Sequence, residues 1–206
     1  MGINQSLVKN FSSINPPLIV NLKRGRSIES THKVYAVVTD RKRRILMSAG
    51  NPYHETFIRS CLKPFQSLTF VSSGTVENIK CGEEGIAISC GSHSGSKKHA
   101  REAFKILWNS DIDPVYLKCP IPKSRKSALE HNCSGKHAAF LATCKKMGWP
   151  LENYLAIDHP LQKEVIRRVA EILAIPSEEL FISFDNCGSP TLKLSLSHIS
   201  SLYAHL

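Results

Sequence analysis

The chain has 206 residues, of which 42% are hydrophobic and 21% are charged, a balance that predicts one folded domain with a buried core rather than a disordered chain. The sequence contains no apolar run of about 18 residues, no repeat and no low-complexity segment, which excludes a transmembrane helix, a coiled coil and a solenoid. The net charge of +10 raises the question of an anionic partner.

The distribution of the basic residues does not favour nucleic-acid binding. The densest cluster, residues 41–44, falls between two β-like runs, where a hairpin turn is expected, and the clusters at 97–98 and 123–126 are equally short. Aromatic residues do not alternate with these clusters, as they would on a surface that stacks bases. We therefore expect neither nucleic acid nor a membrane among the partners of this protein.

The cysteines and the N-terminus indicate a reducing compartment. The chain has 7 cysteines, an odd number, and its start lacks the charged-then-apolar profile of a signal peptide. We therefore expect a cytoplasmic protein with free thiols, in which a cysteine cluster suggests metal binding or reactivity before a disulfide. The first six residues match the N-myristoylation pattern, a short match that chance explains.

Strands and one helix are predicted in the first half of the chain. Residues 1–20 are polar and then proline-rich, which predicts a loosely covering segment, whereas 34–38 and 45–48 predict two strands joined by a turn. A helical stripe covers residues 60–72. Because proline is tolerated only in the first turn of a helix, Pro64 puts the preceding Ser60 at the N-terminus of this helix.

The second half is predicted to be mainly helical. A short buried segment at 85–90 runs into a small-residue turn at 91–95. Three helices are then predicted from the apolar spacing, over 97–108, 134–147 and 161–173. We expect Gly148 to end the second of these helices, and Asp158 with Pro160 to begin the third. Residues 181–184 favour a strand, and an amphipathic helical run begins at Pro190.

Ser60 and Lys63 form a Ser-x-x-Lys element at the start of the first predicted helix. Positions i and i+3 share a helix face, so the lysine amine can reach the serine hydroxyl and accept its proton, as in Ser-Lys nucleophile activation. The helix N-terminus would favour negative charge on the attacking oxygen. The alternative is a capping serine beside a solvated lysine.

Three further segments carry groups that can do chemistry. The turn at 90–95 brings hydroxyl and imidazole groups together between two glycines. The same residues would also occur in a polar turn that has no function. Cys133 and Lys136 share one face of a predicted helix, and Cys187 in the loop at 185–188 can meet them in space. Two thiolates suit Zn²⁺, but buried inert cysteines are the alternative reading.

Taken in order, these segments resemble the rhizobial-type L-asparaginases, also called the asparaginase II family. The resemblance rests on Arg-Gly at 24–25, Glu-Ser-x-His at 29–32 and five motifs that follow, and it extends from about residue 17 to the end. Those motifs are Arg-Ser-Cys-Leu-Lys-Pro-Phe-Gln at 59–66, Cys-Gly-Ser-His-Ser-Gly at 90–95, His-Asn-Cys-Ser-Gly-Lys-His at 131–137, Asp-His-Pro at 158–160 and Asp-Asn-Cys-Gly-Ser-Pro at 185–190.

The resemblance implies an α+β fold of the serine β-lactamase/glutaminase-like type, with an antiparallel sheet covered by helices. It also implies an L-asparaginase that hydrolyses L-asparagine to L-aspartate and ammonia, and that forms homodimers in some members. The implied residues fall into three sets. They are the catalytic Ser60, Lys63 and Ser92, the substrate-binding Arg59, His137 and Asp185, and the zinc ligands Cys133, Lys136 and Cys187, with water completing the metal shell.

The length of the chain departs from the resemblance, because members of that family run well beyond 300 residues. We therefore expect residues 1–206 to be the N-terminal portion of a single asparaginase II domain, without its last strands and without the later lysine that pairs with Ser92. A lone two-stranded hairpin is marginal in water, so such a chain would be less stable. The alternative function is a catalytically impaired remnant that binds zinc or a partner.

Overall fold

The computed structural model describes residues 15–206, so the predictions for residues 1–14, including the myristoylation match, lie outside the described part. Helices and short antiparallel strands make this an α+β chain. Its strands and α-helices are, in chain order, β1 (Leu18–Arg24), β2 (Ser27–Val34), β3 (Ala36–Thr39), β4 (Ile45–Ala49), β5 (Glu55–Phe57), α1 (Lys63–Ser72), α2 (Thr75–Asn78), α3 (Glu83–Cys90), α4 (Lys97–Asn109), α5 (Ser134–Met147), α6 (Pro160–Leu173), β6 (Phe181–Phe184), β7 (Pro190–Ser195) and α7 (Leu196–Tyr203).

These elements form two compact units, one of residues 15–56 with 195–206 and one of residues 57–194. The first unit contains two antiparallel hairpins, β1 with β2 and β3 with β4, and the helix α7. This helix packs on β3, where the hydroxyls of Thr39 and Ser200 are 2.7 Å apart. The predicted strands at 34–38 and 45–48 are confirmed as β3 and β4, with shifted bounds.

The β1–β2 hairpin corrects the prediction of a loosely covering segment up to residue 20. Strand β1 begins at Leu18 and pairs with β2 in a register that sets Leu18 opposite Val34. Gly25 adopts φ +61°, a left-handed conformation that the turn requires and that glycine adopts readily. The prolines at 16 and 17 end the irregular segment rather than extending it, since the strand begins at Leu18 directly after them.

The second unit holds the core. Helix α5 lies at its centre, with residues 134–144 all buried, and α1, α3 and α4 pack against it, while α6 packs on α1. The largest side chains of this core are aromatic, Phe70, Phe140 and Tyr154, each with at most 1% of its surface exposed. Burying apolar surface in this way supplies the main driving force for folding. Gly148, with φ +68°, ends α5 as predicted.

Two helix predictions are wrong in detail. Helix α6 begins at Pro160, but His159 rather than Asp158 is its N-cap, because the His159 Nδ1 atom accepts the backbone N–H of Leu161 at 3.1 Å. The run from Pro190 is a strand, β7, before it becomes the helix α7. Its sequence Thr-Leu-Lys-Leu at 191–194 alternates polar and apolar residues, which suits a strand, and the strand pairs with β6, in which Phe184 lies opposite Pro190.

The longest helices of the described part, α5 and α6, have 14 residues each. Among residues 15–206, no helix has the length and apolar character needed to cross a membrane.

Candidate active site

Ser60 and Ser92 differ in their relation to Lys63. Ser60 lies in a 3-10 turn (Arg59–Leu62) before α1, as the proline argument predicts, and its backbone carbonyl accepts the N–H of Lys63. Its hydroxyl makes no hydrogen bond to any residue within 15–206. The Lys63 amine instead donates to the Ser92 hydroxyl at 2.5 Å. The lysine of the Ser-x-x-Lys element therefore contacts the remote serine through its side chain.

The packing of α1 against α3 explains this pairing. One helical turn beyond Lys63, the hydroxyls of Ser67 and Ser89 form a buried hydrogen bond between the two helices. Residue 63 thus lies opposite residue 92, and residue 67 opposite residue 89, which is the register of two antiparallel helices. Small side chains let the helices approach closely, so the long Lys63 side chain crosses to the turn that follows α3.

His93 fastens the Ser92 turn to the segment before α5. Its backbone N–H donates to the Asn132 carbonyl at 3.2 Å, and its Nδ1 atom accepts the N–H of Gly95 at 3.1 Å. The Nε2 atom lies 3.0 Å from the Ser134 hydroxyl, which itself donates to the Leu129 carbonyl at 2.7 Å. Because Nδ1 accepts, Nε2 must carry the proton and donate to Ser134. His93 is therefore a neutral ring with both nitrogens engaged.

The electrostatic surroundings of His93 agree with a neutral ring. Burial, together with the nearby charges of His99 and Lys63, lowers the pKa of His93 to about 4. His131 adds a smaller contribution in the same direction. The ring consequently stays neutral, and its hydrogen bonds stay intact, throughout the neutral pH range.

Two glycines permit the close contacts around this turn. Gly95 has φ +69°, and a Cβ atom there would lie 2.1 Å from the Glu130 carbonyl oxygen. A Cβ atom on Gly135 would lie 2.2 Å from the Ile88 carbonyl oxygen of α3. Both positions therefore require glycine, and together they bring the Ser92 turn close to the start of α5.

Arg59 and Asp185 form an ion pair at 2.9 Å beside the Ser60 turn. The guanidinium of Arg59 also donates to the Asn186 side chain at 3.2 Å. The backbone of Arg59 is left-handed, with φ +49°, and its N–H is held by the Thr191 hydroxyl at 3.1 Å. A non-glycine residue in this conformation costs free energy. The hydrogen bond to Thr191 and the ion pair with Asp185 offset this cost and fix the position of Arg59.

Cys133, Lys136 and Cys187 come together as expected. All three are buried, and the Lys136 amine donates to the Cys187 sulfur at 3.4 Å. A hydrogen bond between the two thiol groups lowers the pKa of Cys187 and raises the pKa of Cys133, with burial adding to the rise at Cys133. Of the two cysteines, Cys187 is therefore the one that loses its proton more readily. Among residues 15–206, no group of three or more His, Cys, Asp or Glu residues is arranged to hold a metal ion, so a metal here would need the lysine or water as a further ligand.

His137, the remaining predicted residue, is fully buried on α5. Its Nδ1 atom lies 2.7 Å from the hydroxyl of Tyr154. Burial lowers the pKa of His137 to about 4, an effect that Cys187 opposes. The ring is therefore neutral and close to the thiol pair.

Sequence reasoning missed three residues that support this site. The roles of His93, Thr191 and Tyr154 depend on contacts with segments between 17 and 132 positions away in the sequence. His93 stood inside a quoted motif, but no spacing rule connects it to Ser134. Thr191 and Tyr154 stand in unremarkable sequence, and no local signal identifies them.

Two concave surfaces flank the Ser92 turn. One, of about 440 Å³, is lined by Ser92 itself together with residues of α3 and α4, including His99 and Glu102. The other, of about 500 Å³, is lined by His93, His131 and the basic loop that contains Arg125. The Ser92 hydroxyl is thus next to space that a small molecule can occupy.

Comparison with known proteins identifies the family. The family model described as L-asparaginase II matches residues 20–206, which is most of the chain. No curated protein matches it. The matched range contains every site residue described above, from Arg59 to Thr191, and the chain belongs to the L-asparaginase II family.

Proposed function

We propose that this protein is an L-asparagine amidohydrolase in which Lys63 activates Ser92. The single observation that carries the proposal is the hydrogen bond of 2.5 Å between the Lys63 amine and the Ser92 hydroxyl. Lys63 is only 1% exposed, and no carboxylate within residues 15–206 forms a salt bridge with it. Its amine is therefore available to exchange a proton with the serine hydroxyl.

The reaction then follows from this pair. The Ser92 oxygen attacks the side-chain amide carbon of L-asparagine while the lysine amine takes the hydroxyl proton. The proton passes to the amide nitrogen, the C–N bond breaks and ammonia leaves. Water then attacks the resulting ester, with the same amine as the base, and L-aspartate is released. In this scheme Ser60, exposed beside the pair, is the second serine and contacts the bound substrate.

The Arg59–Asp185 ion pair suits the charges of an amino acid. A guanidinium binds a carboxylate with two parallel hydrogen bonds, and a carboxylate binds an ammonium group. We propose that Arg59 takes the α-carboxylate and Asp185 the α-ammonium of L-asparagine, each exchanging its present partner for the substrate. His137 is the third substrate contact.

We also propose a zinc site formed by Cys133, Lys136 and Cys187. The donor set fits the metal, because two sulfur ligands suit Zn²⁺ and the lowered pKa of Cys187 favours the thiolate form that binds a metal. Lys136 would need to release its proton to bind the metal. A bound zinc ion would supply positive charge near the substrate carbonyl and carboxylate.

The family also supports two finer expectations that we keep as proposals. One is the serine β-lactamase/glutaminase-like form of the α+β fold. The other is the substrate, since asparagine rather than glutamine is the expected amide.

The test is ammonia release from L-asparagine by the purified protein, compared with L-glutamine. We expect turnover that Ser92→Ala abolishes and that Ser94→Ala, a change in the same turn, leaves intact. A folded protein without turnover contradicts the proposal.

The metal content of the same preparation tests the zinc site. We expect zinc that Cys187→Ser removes and that Cys144→Ser, a buried cysteine of α5 outside the proposed site, does not remove. Zinc without ammonia release would instead support the alternative function, a protein that binds zinc but does not hydrolyse asparagine.

A further inference from the structure

A cavity of about 440 Å³ lies beside Ser92, between helices α3 and α4, and we call it the α3–α4 cavity. Ser92 lines it, together with residues of α3, of the turn at 91–94 and of the first two turns of α4. Hydrolysis of L-asparagine releases ammonia, which is about the size of a water molecule, and a water molecule takes up about 30 Å³. The cavity therefore has room for a group much larger than the leaving group of the proposed reaction.

The side chains proposed to hold the amino-acid end of the substrate lie outside this cavity. Arg59 and Asp185 pair with each other beside the Ser60 turn, and neither of them lines the α3–α4 cavity. In the proposed reaction the amide carbon is at Ser92, and the α-carboxylate and α-ammonium groups extend from there toward Arg59 and Asp185. Because the bonds of an amide carbon diverge, its nitrogen points away from that end. The α3–α4 cavity is the space at Ser92 that the amino-acid end leaves free.

The lining of the α3–α4 cavity suits a short chain that ends in a positive charge. Ala87 of α3 contributes apolar surface, and Glu84 and Glu102 contribute two carboxylates. Within residues 15–206, Lys98 is the only ammonium group that lines the cavity, and its side chain is exposed. An ammonium group of a ligand can therefore contact either carboxylate directly, whereas a ligand carboxylate would meet two like charges and one exposed lysine.

Glu102 can still bind a ligand although it forms an ion pair. The Lys105 amine donates to its Oε1 atom at 2.8 Å, whereas its Oε2 atom accepts no hydrogen bond within residues 15–206. The Lys105 side chain is 64% exposed and does not line the cavity, while the Glu102 side chain is only 16% exposed. Ion pairs that reach into solvent stabilise a protein little, so sharing this carboxylate with a ligand costs little free energy.

We infer that the protein also hydrolyses derivatives of L-asparagine whose side-chain amide nitrogen carries a small aminoalkyl group, and that the α3–α4 cavity binds this group. The inference rests on the proposed function, which makes Ser92 the nucleophile. It adds a second class of substrate, from which the protein releases an alkyl diamine rather than ammonia.

The reaction follows the same steps as asparagine hydrolysis, with a different leaving group. The Ser92 oxygen bonds to the amide carbon, and its proton passes through the Lys63 amine to the amide nitrogen. The C–N bond breaks, the diamine leaves with that proton, and an aspartyl ester of Ser92 remains. Water then hydrolyses the ester, which releases L-aspartate and restores the serine. Water is the only co-reactant.

Release of L-aspartate by the unchanged protein tests the inference. The substrates are L-asparagine and three derivatives whose side-chain amide nitrogen carries an aminoethyl, a propyl or a carboxymethyl group. These groups are positively charged, uncharged and negatively charged at neutral pH. We expect kcat/KM for the aminoethyl derivative to be about tenfold higher than for the propyl derivative and about a hundredfold higher than for the carboxymethyl derivative.

The outcomes separate this inference from the proposed function. Hydrolysis of L-asparagine without hydrolysis of the aminoethyl derivative would overturn the inference and leave the proposed function intact. Hydrolysis of the aminoethyl derivative alone would support the inference and contradict L-asparagine as the substrate. A protein that hydrolyses neither compound would contradict both. A carboxymethyl derivative that reacts faster than the aminoethyl derivative would also overturn the inference, because the two carboxylates would then not contact the substituent.

Variants of two neighbouring glutamates show where the aminoethyl group binds. Glu84→Gln should lower the ratio of kcat/KM for the aminoethyl derivative to that for the propyl derivative about fivefold, because it removes a lining carboxylate. Glu83→Gln changes the preceding carboxylate of α3, which does not line the cavity, and should leave this ratio unchanged. The same ratio in both variants would place the substituent outside the α3–α4 cavity.

A larger side chain at residue 87 tests the space itself. Ala87→Phe should lower the ratio of kcat/KM for the aminoethyl derivative to that for L-asparagine about tenfold, because the ring fills part of the cavity while ammonia needs little room. A ratio that does not change in this variant would contradict binding of the substituent between α3 and α4.

Discussion

The Ser60 turn and the Ser92 turn each place a serine near Lys63, but the contacts of the two hydroxyls with the lysine differ. Each has an exposed serine next to a helix end, and each lies near Lys63. Ser60 shares a backbone hydrogen bond with Lys63, whereas Ser92 receives the amine itself. Residues 60 and 63 are therefore linked through their backbones because they are close in sequence, whereas helix packing decides which serine hydroxyl the lysine amine contacts.

The two turns are also held differently. The Ser92 turn is fastened by the His93 ring, which is fixed at both nitrogens, and by the close approach at Gly95. The Ser60 turn is held by the neighbouring Arg59, through the Thr191 hydroxyl and the ion pair with Asp185. In the proposed function, the first turn positions the nucleophile and the second positions a charge that binds the substrate.

The largest expected effect distinguishes the two serines. Ser92→Ala should lower kcat by about 10⁴- to 10⁶-fold, because it removes the nucleophile, whereas Ser60→Ala should cost about 10- to 100-fold. Steady-state ammonia release measures both. Loss of activity that is larger for Ser60→Ala would reverse the comparison and make Ser60 the nucleophile.

Removing the amine should have the next largest effect. Lys63→Met keeps a long side chain but no base, so kcat should fall about 10²- to 10⁴-fold. A small primary amine added to Lys63→Ala should restore part of the lost activity, because it can occupy the space of the missing amine. Lys97→Met on the exposed start of α4 is the control, and an equal loss there would argue against a specific base at residue 63.

His93→Gln should lower kcat about tenfold by loosening the Ser92 turn, since small displacements of a nucleophile reduce its rate of attack. Ser134→Ala removes the acceptor of the same ring, so the two changes should be non-additive in a double-mutant cycle. Ser60→Ala combined with His93→Gln should be additive. Additive losses for residues 93 and 134 would contradict the fastening of the turn by this hydrogen bond.

The smallest expected effect is on the pH dependence of stability. The pKa of His93 falls from its ordinary value of 6.5 to about 4 on folding, because of burial and of the facing charges of His99, Lys63 and His131. Between these two values the unfolded chain binds more protons at His93 than the folded protein does. The free energy of unfolding should therefore decrease as the pH falls from about 6.5 to about 4.

Urea unfolding across this pH range measures the effect. In His93→Gln the slope should be flatter but not zero, because the pKa of His137 is also lowered on folding. An unchanged slope in this variant would show that His93 is not buried as a neutral ring.

Most local elements were predictable, and the exceptions have local causes. The helices at 97–108 and 134–147 were found from apolar spacing and from Gly148, because these signals act within one or two turns. The β1–β2 hairpin is not predictable from hydrophobic periodicity, because most of its residues are exposed on both faces. Its sequence therefore lacks the alternation of apolar and polar residues that marks a half-buried strand. The prediction of a helix from Pro190 is wrong for the first six residues, which form β7, and holds only from Leu196, where α7 begins.

The sequence by itself determined the family, the residue types of the site and most of the helices, because motifs and helix signals are properties of neighbouring residues. Only the tertiary structure decided that the Lys63 amine reaches Ser92 and that Arg59 pairs with Asp185. It also decided that the Tyr154 hydroxyl contacts the Nδ1 atom of the buried His137. These contacts depend on the register of packed helices and on side-chain direction, which spacing along a chain does not specify.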